Sequence, residues 1–135
     1  MYISPTPESI AELMQRGLTG PVTMLNLLRF RKQANYSENP ELTPDEPISG
    51  AAAYQIYMEH VGPLFAAAGG EVILSGSAGA LLIGPQDARW DQVLIARYPD
   101  LGAFVAMTQD RQYHDKAGHR TAALEDSRLL PIVAD

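Results

Sequence analysis

The sequence predicts an α+β domain, a four-stranded antiparallel sheet with two helices on one face. Two observations lead to this prediction. Apolar runs of strand length alternate with capped helical segments in the order β-α-β-β-α-β, behind one leading helix. The first strand is apolar on both of its faces, which indicates that the sheet is covered on the side away from the helices as well.

Size and composition fit one such domain over residues 1–135. Hydrophobic residues make up 46% of the chain and charged residues 19%, which is typical of a folded soluble protein. The net charge of −6 argues against nucleic acid or an anionic membrane as a partner. The absence of cysteine excludes disulfides and thiol catalysis. No signal peptide or membrane-spanning stretch is evident, so a cytoplasmic protein is expected.

The first elements follow from caps and apolar patterning. A helix is predicted over 6–16, capped by Thr6 and stopped by Gly17, as an extension before the sheet. Residues 21–30 are predicted to form the first strand. Residues 31–48 contain three prolines and no periodicity, so they are expected to form a loop insertion. A loop of that length is either a lid or interface arm, or a solvated insertion.

A long helix is expected next. Ser49 caps it, it extends to about Ala68, and Pro63 should kink or split it. A helical wheel predicts an inward-facing set of residues on this helix. That set is Ala53, Tyr57, His60, Val61, Leu64 and Ala68.

The second half begins with a predicted β-hairpin. Its first strand extends from Glu71 to Ile83 with an interruption at Gly76-Ser77, and its second strand covers 90–98. A turn over 84–88 separates the two strands.

The last helix is predicted to start at Asp100 and to restart at Asp110. A closing strand over 128–133 completes the sheet, with Pro131 at its edge or end. This order is the ferredoxin-like split βαβ arrangement. The economical cover for the second face of the sheet is a second copy, so a homodimer is expected.

Four stretches of this chain also carry a family resemblance. They are Met24–Phe30, Ser49–Tyr54 with Tyr57, Gly69–Val72, and Tyr113 with Arg120 seven residues later. In order and spacing they resemble the family called domain of unknown function 1330, in the dimeric α+β barrel superfamily. The resemblance covers about residues 21–133. It implies the fold and a homodimer, and it implies no activity because the family has no agreed one.

Better-known members of that superfamily include small monooxygenases, haem-degrading enzymes, and proteins similar to muconolactone isomerase or chlorite dismutase. The resemblance implies a pocket between the sheet and its own helices. The haem-degrading branch combines an Asn on the first strand with a Trp and a His on the last helix. Asn26 matches the first of these, but Met107 and Ala117 stand where the other two align. That departure counts against haem degradation.

Asn26 and His60 are the predicted catalytic residues. Asn26 interrupts an apolar strand, and its amide can orient a carbonyl or hold a developing oxyanion. His60 can move a proton near neutral pH. The alternatives are a structural hydrogen bond to a loop for Asn26 and a hydrogen-bonded core position for His60. Tyr57 shares the predicted inward face and either contacts a ligand or packs in the core.

Ligand-binding roles are predicted for a group of arginine and aromatic residues. Arg120, on one helix face with Tyr113, can bind a carboxylate, or it forms an ion pair with an acidic residue. Arg29 and Arg97 either line one end of a cleft or pair with Glu71.

Two further aromatic residues, Trp90 and Tyr98, are predicted to share one strand face. They form either an aromatic pocket or part of the dimer interface.

No metal or cofactor is expected. His114 and His119 are five residues apart, which is the wrong spacing for joint metal binding on one helix face, and His119 is predicted to point away from the core. The chain has no G-x-G-x-x-G motif after a strand and no P-loop, so flavin, nicotinamide and nucleotide chemistry have no support.

These residues together suggest a protein that binds or transforms a small organic acid or carbonyl compound between sheet and helices. An enzyme of this kind would be a cofactor-free isomerase or monooxygenase, with loop 31–48 closing over the ligand. The alternative is a non-catalytic homodimer that senses a ligand or serves as an interaction module. A third possibility is a structural dimer without a cavity beside Asn26.

Overall fold

The computed structural model describes all 135 residues, and the predicted α+β class and strand order are confirmed. The strands are β1 (Val22–Phe30), β2 (Glu71–Ser77), β3 (Gln92–Tyr98) and β4 (Leu124–Ile132). The helices are α1 (Pro7–Gln15), α2 (Gly50–Ala67), α3 (Leu101–Gln109) and α4 (Arg111–Ala123), with one 3₁₀ turn at Pro40–Leu42. The sheet order is β2-β3-β1-β4 and all neighbouring strands are antiparallel.

The predicted caps hold the helices in place. The Thr6 hydroxyl accepts from the Ser9 N–H at 3.1 Å, and the Ser9 hydroxyl accepts from the Thr6 N–H at 3.0 Å, so α1 begins with a capping box. Asp100 and Asp110 each accept a backbone N–H at 2.7 Å, at the starts of α3 and α4. Gly17 ends the first helix with a positive φ of 59°.

β1 presents alternate residues to the two sides of the sheet. Val22, Met24 and Leu28 face the helices and are at most 1% exposed. Leu28 packs in a first core cluster with residues of α2 and the end of α4. Val22 and Met24 pack in a second cluster with α3. The core therefore lies on one side of the sheet, in two parts arranged along β1.

The side away from the helices has no cover within this chain, and we call it the free face. By strand register its apolar residues are Leu25, Leu27, Leu74, Val93, Ile95, Leu130 and Ile132. Leu74 and Leu130 are each 54% exposed. The free face is therefore an open apolar surface of the protomer.

The predicted hairpin is shorter than expected. β2 ends at Ser77 rather than at Ile83, and β3 begins at Gln92 rather than at Trp90. Two backbone hydrogen bonds extend the ladder as far as Gly79 and Trp90, and the chain beyond them protrudes. Leu82 and Ile83, at 99% and 92% exposed, lie in that protrusion. They resemble strand residues in the sequence, but no neighbouring strand pairs with them.

Two other boundaries differ from prediction. The exposed residue Pro63 does not split α2, which is one helix over Gly50–Ala67. β4 begins at Leu124, directly after α4, rather than at Arg128, and Leu124 is fully buried in the first cluster. No helix is both long enough and apolar enough to cross a membrane.

The segment 31–48 is fastened to the rest of the domain. The Arg31 N–H donates to the Ala123 carbonyl at 2.8 Å, and the Asn35 N–H donates to the Ala122 carbonyl at 2.9 Å. Tyr36 is only 8% exposed and belongs to the first cluster. The segment is thus part of the core as well as a surface insertion.

The two edges of the sheet are covered differently. Along β4, the Ser127 hydroxyl donates to the Tyr2 carbonyl at 2.6 Å and Arg16 donates to the Pro131 carbonyl at 3.2 Å. The N-terminal segment therefore lies against this edge. Every residue of β2 at the other edge is exposed.

Candidate functional site

Asn26 marks an opening in the helix-covered side of the sheet. It lies on β1 between Met24 and Leu28, which are 1% and 0% exposed, yet Asn26 itself is partly exposed. Leu129, its partner on β4, is 44% exposed. Solvent therefore reaches the helix-covered side of the sheet at Asn26 and Leu129, between the residues of the two core clusters. We call this region the junction.

Only the NH₂ group of the Asn26 side-chain amide forms hydrogen bonds within the chain. Its Nδ2 donates to the Leu94 carbonyl at 3.1 Å and to the Met24 carbonyl at 3.3 Å. Its Oδ1 accepts no hydrogen bond from the chain. The NH₂ group thus bonds to strand carbonyls rather than to a loop, while the oxygen remains free to accept from a ligand.

A tyrosine pair lies above the sheet at the junction. Tyr113 packs against both core clusters, and its Oη is 3.0 Å from the Oη of Tyr57. Burial, then the neighbouring Tyr113, raises the pKa of Tyr57 well above its usual value. Tyr57 is therefore a protonated phenol near neutral pH. Only one hydroxyl donates within the pair, so the second O–H is free to donate elsewhere.

Tyr54 and Tyr98 extend the aromatic lining on either side. Tyr54 lies 5.3 Å from the ring of Tyr57, and burial raises its pKa to about 12. Tyr98 is 6% exposed in the second cluster, where burial raises its pKa, and its Oη is 4.0 Å from the sulfur of Met107. Sequence reasoning missed Tyr54, although its position three residues before Tyr57 on α2 is a usable signal.

Arg120 is a partly buried cation without an acidic partner. Its guanidinium donates to the Ile3 carbonyl, and all the ion pairs of the chain involve other arginines. The expected alternative, an ion pair with Asp or Glu, is therefore not formed within the chain. The charge of Arg120 lowers the pKa of Tyr54 and Tyr57 against the larger effect of burial. The guanidinium of Arg120 thus lies within electrostatic range of these two tyrosine hydroxyls.

His60 does not reach the junction. It is exposed, because α2 turns Ala53, Tyr54 and Tyr57 inward and leaves His60 at the margin. Its ring stacks on that of His119, with centroids 5.9 Å apart and planes at 11°. The expectation that His60 meets Asn26 across the interface is wrong.

His119 lies inside the protein rather than pointing away from the core. It is 6% exposed, and its Nδ1 is 2.8 Å from the Oη of Tyr36. Burial, then His60 and Lys116, lowers the pKa of His119. His114 is exposed. No three histidine or acidic side chains are grouped in a way that would hold a metal ion.

Arg29 and Trp90 lie at one end of the free face, away from the junction. Arg29 pairs with Glu125 at 3.2 Å and Asp126 at 3.3 Å, and its guanidinium carbon is 5.5 Å from the centroid of the Trp90 ring. Trp90 and Tyr98 therefore do not share a pocket. Trp90 precedes β3, so the alternation within the strand does not extend to it.

Asp126 holds this end of the sheet together. Burial raises the pKa of Asp126, but hydrogen bonds from the Tyr2 N–H, from Arg128 and from the Ser127 N–H outweigh it and lower the pKa overall. At the other end of the free face, Arg97 pairs with Glu71 at 2.7 Å, which is one of the two alternatives predicted for it. The same alternative is wrong for Arg29, which pairs with Glu125 and Asp126.

Solved structures with the same fold include a protein of unknown function from Rhodopseudomonas palustris. It is 44% identical, with a TM-score of 0.84, over 97% of this chain and 95% of that one. A methylated form of that protein is 41% identical, with a TM-score of 0.86, over 97% of this chain and 93% of that one. A cofactor-independent oxygenase from Streptomyces nogalater is 16% identical, with a TM-score of 0.52, over 87% of this chain and 95% of that one. The similarity to this oxygenase shows a shared fold alone.

None of the curated proteins matches the chain. Residues 46–133, which span α2 to the end of β4, match the model of a family described as a domain of unknown function, DUF1330. The match includes the helix with Tyr54 and Tyr57 and the helix with Tyr113 and Arg120. The chain therefore belongs to the DUF1330 family.

Proposed function

We propose that this protein binds a small organic acid with an apolar or aromatic body at the junction. The observation behind this proposal is the partly buried guanidinium of Arg120, which has no carboxylate partner in the chain. A partly buried cation is stabilised by an anion that it can hydrogen-bond, and the planar fork of arginine suits a carboxylate.

The surrounding groups suit the rest of such a ligand. The Ile3 carbonyl occupies one donor position of Arg120, and the other N–H groups are free for carboxylate oxygens. The free O–H of the pair formed by Tyr57 and Tyr113 can donate to a further oxygen. Tyrosine rings and Leu129 offer apolar walls, as small-molecule sites commonly do.

Binding is better supported than proton transfer. Tyr57 at the junction is a protonated donor, and His60, the predicted base, lies outside the junction. The junction therefore has hydrogen-bond donors and one cation but no group that takes a proton near neutral pH. This favours a ligand-sensing or ligand-carrying role over an isomerase.

We also infer that the protein works as a homodimer. The free face carries apolar residues on all four strands, and Leu74 and Leu130 are each 54% exposed. Such a continuous apolar surface marks an interaction site in a soluble protein. A second copy offers the same surface, and self-complementary contacts of this kind close as two-fold dimers.

Ligand binding is tested by calorimetry and thermal shift with benzoate, cyclohexanecarboxylate and butyrate. We expect at least one acid to raise the melting temperature, since a ligand of the native state stabilises it by mass action. Arg120→Gln should weaken that binding by about 10-fold or more, the effect of losing a charged hydrogen bond. Tyr113→Phe should weaken it less.

The matched controls are His60→Gln and an uncharged ligand. His60→Gln should bind the acid like the wild type because His60 lies outside the junction, and benzamide should bind more weakly than benzoate. Equal binding of benzoate and benzamide, full binding by Arg120→Gln, or no response to any of the three acids would overturn the proposal.

A further inference from the structure

The N-terminal segment runs from one core cluster to the other. Ile3 packs against the first cluster, and Leu18 packs against the second. The chain between these two contacts includes α1, which buries none of its residues. Because the junction lies between the two clusters, the segment passes the junction on its way.

Hydrogen bonds to β4 hold the two ends of this segment on either side of Leu129. The Tyr2 carbonyl accepts from the Ser127 hydroxyl at 2.6 Å, and Arg16 donates to the Pro131 carbonyl at 3.2 Å. Leu129 lies midway between Ser127 and Pro131 in the sequence. The chain between the two hydrogen bonds, which contains α1, therefore spans the part of β4 where Leu129 is exposed at the junction.

α1 carries an apolar face that the protomer does not cover. Ile10, Leu13 and Met14 share one side of the helix, at spacings of three and four residues. Ile10 and Met14 are each nearly half exposed. Glu8 and Glu12 fall on the opposite side by the helical period. A short helix gains most of its stability from packing of its apolar face, so this face of α1 has room for a further apolar partner.

The same segment contacts the cation of the proposed acid site. The Arg120 guanidinium donates to the carbonyl of Ile3. A carboxylate on the remaining N–H groups of Arg120 would therefore lie beside Ile3. The cap of α1, Thr6, follows three residues later, and three residues span at most about 11 Å of extended chain. The body of such an acid is therefore within reach of α1.

We propose that α1 closes over an acid bound at the junction and packs its apolar face on the body of that acid. Ile10 and Met14 are the contacting residues. The proposal rests on the acid binding proposed above, and it deepens it by naming the preferred ligands. They are acids with a bulky cyclic body, such as cyclohexanecarboxylate, because a short chain such as that of butyrate offers α1 less apolar surface. Closure of a short element over a ligand also excludes water from the site.

Calorimetry with cyclohexanecarboxylate compares serine substitutions on the two sides of α1. Ile10→Ser and Met14→Ser should each weaken binding at least about 5-fold, because each removes apolar surface from the contact with the acid. Glu12→Ser is the matched control, since it places the same weak helix former on the other side, and it should bind like the wild type. Butyrate should bind all three variants within about 2-fold of the wild type, because it contributes less apolar surface.

The outcomes separate this proposal from the acid site itself. Equal losses in all three variants, or no loss in any of them, would reject closure by α1 and leave acid binding at Arg120 standing. A dimer that weakens in Ile10→Ser and Met14→Ser while acid affinity is unchanged would assign the apolar face to a second copy and reject closure as well. A wild type that binds none of the acids would reject both proposals.

Hydrogen exchange provides a second measurement that does not depend on substitutions. Saturating cyclohexanecarboxylate should slow the exchange of backbone amides in residues 7–16 at least about 5-fold, because closure reduces local opening of α1. Residues 80–89, which protrude between β2 and β3, are the internal control and should exchange as before. Unchanged exchange in α1, or equal slowing in both regions, would contradict closure over the acid.

Discussion

The two faces of the sheet receive similar side chains from β1 and meet very different surroundings. Leu28 faces the helices and is fully buried, whereas its neighbour Leu27 faces the other way and is only partly buried. The apolar residues of β1 indicate that both faces of the sheet are buried, but they do not indicate what buries each face. The helices of the chain cover one face, and no element of the chain covers the other.

The strongest test of this contrast compares two leucine truncations on one strand. Leu28→Ala should lower the free energy of unfolding by about 2–5 kcal/mol, the usual effect of a cavity in a packed core. Leu27→Ala should lower the free energy of unfolding by less than Leu28→Ala at low protein concentration. Its effect on the free energy of unfolding should grow with protein concentration, because the proposed dimer buries the free face. Urea unfolding at two concentrations measures both.

The contrast would be contradicted if Leu27→Ala lowered the free energy of unfolding as much as Leu28→Ala does, and by the same amount at both protein concentrations. The free face would then be packed within the protomer. Leu25→Ala is the matched check, since Leu25 lies on the same face and should behave like Leu27.

A smaller effect concerns the polar contact on the helix side. Tyr36→Phe removes the hydroxyl 2.8 Å from His119 and should lower the free energy of unfolding by about 1 kcal/mol.

The pH dependence of stability tests the lowered pKa of His119. Below pH 6.5, the usual pKa of histidine, this side chain binds more protons in the unfolded chain than in the folded protein. Stability should therefore be constant above about pH 6.5 and fall as the pH drops through the folded pKa.

Thermal melts between pH 5 and 8 measure this dependence. His119→Gln should flatten the curve over that range, whereas His114→Gln, at an exposed position, should leave it unchanged. A wild-type protein whose melting temperature rises toward acid pH would contradict the lowered pKa of His119.

The smallest expected effect lies at the exposed edge of the free face. Glu71→Gln breaks the ion pair with Arg97. The side chain of Arg97 is 46% exposed and that of Glu71 is 62% exposed. Exposed pairs contribute roughly 0–1 kcal/mol, and salt screens them. The loss should be at most about 0.5 kcal/mol and should vanish in high salt. A larger, salt-insensitive loss would mean that this edge is buried.

Local signals were enough to predict most of the architecture. Thr6, Asp100 and Asp110 cap helices because a side-chain oxygen and a nearby N–H are properties of neighbouring residues. The apolar character of β1 on both faces is equally local. The order of strands and helices followed from these signals.

The site was less predictable because it depends on distant contacts. His60 and Tyr57 are three residues apart, and a small rotation of α2 decides which of them faces inward. The missing acidic partner of Arg120 is a property of the whole fold, and so is the contact between Tyr36 and His119, 83 residues apart. The end of β2 was misplaced because exposed Leu82 and Ile83 resemble strand residues in sequence.

Trp90 is the chain's single tryptophan, and its position makes it an optical reporter. It is 6% exposed, and the guanidinium carbons of Arg29 and Arg128 lie 5.5 and 5.1 Å from its ring centroid. Arg128 also lies over the ring of Tyr2, at 4.8 Å. Release of the N-terminal segment would remove Tyr2 from Arg128 and so change the surroundings of the indole, which should alter its emission. The native protein thus carries an unlabelled fluorescence signal for the attachment of its first residues.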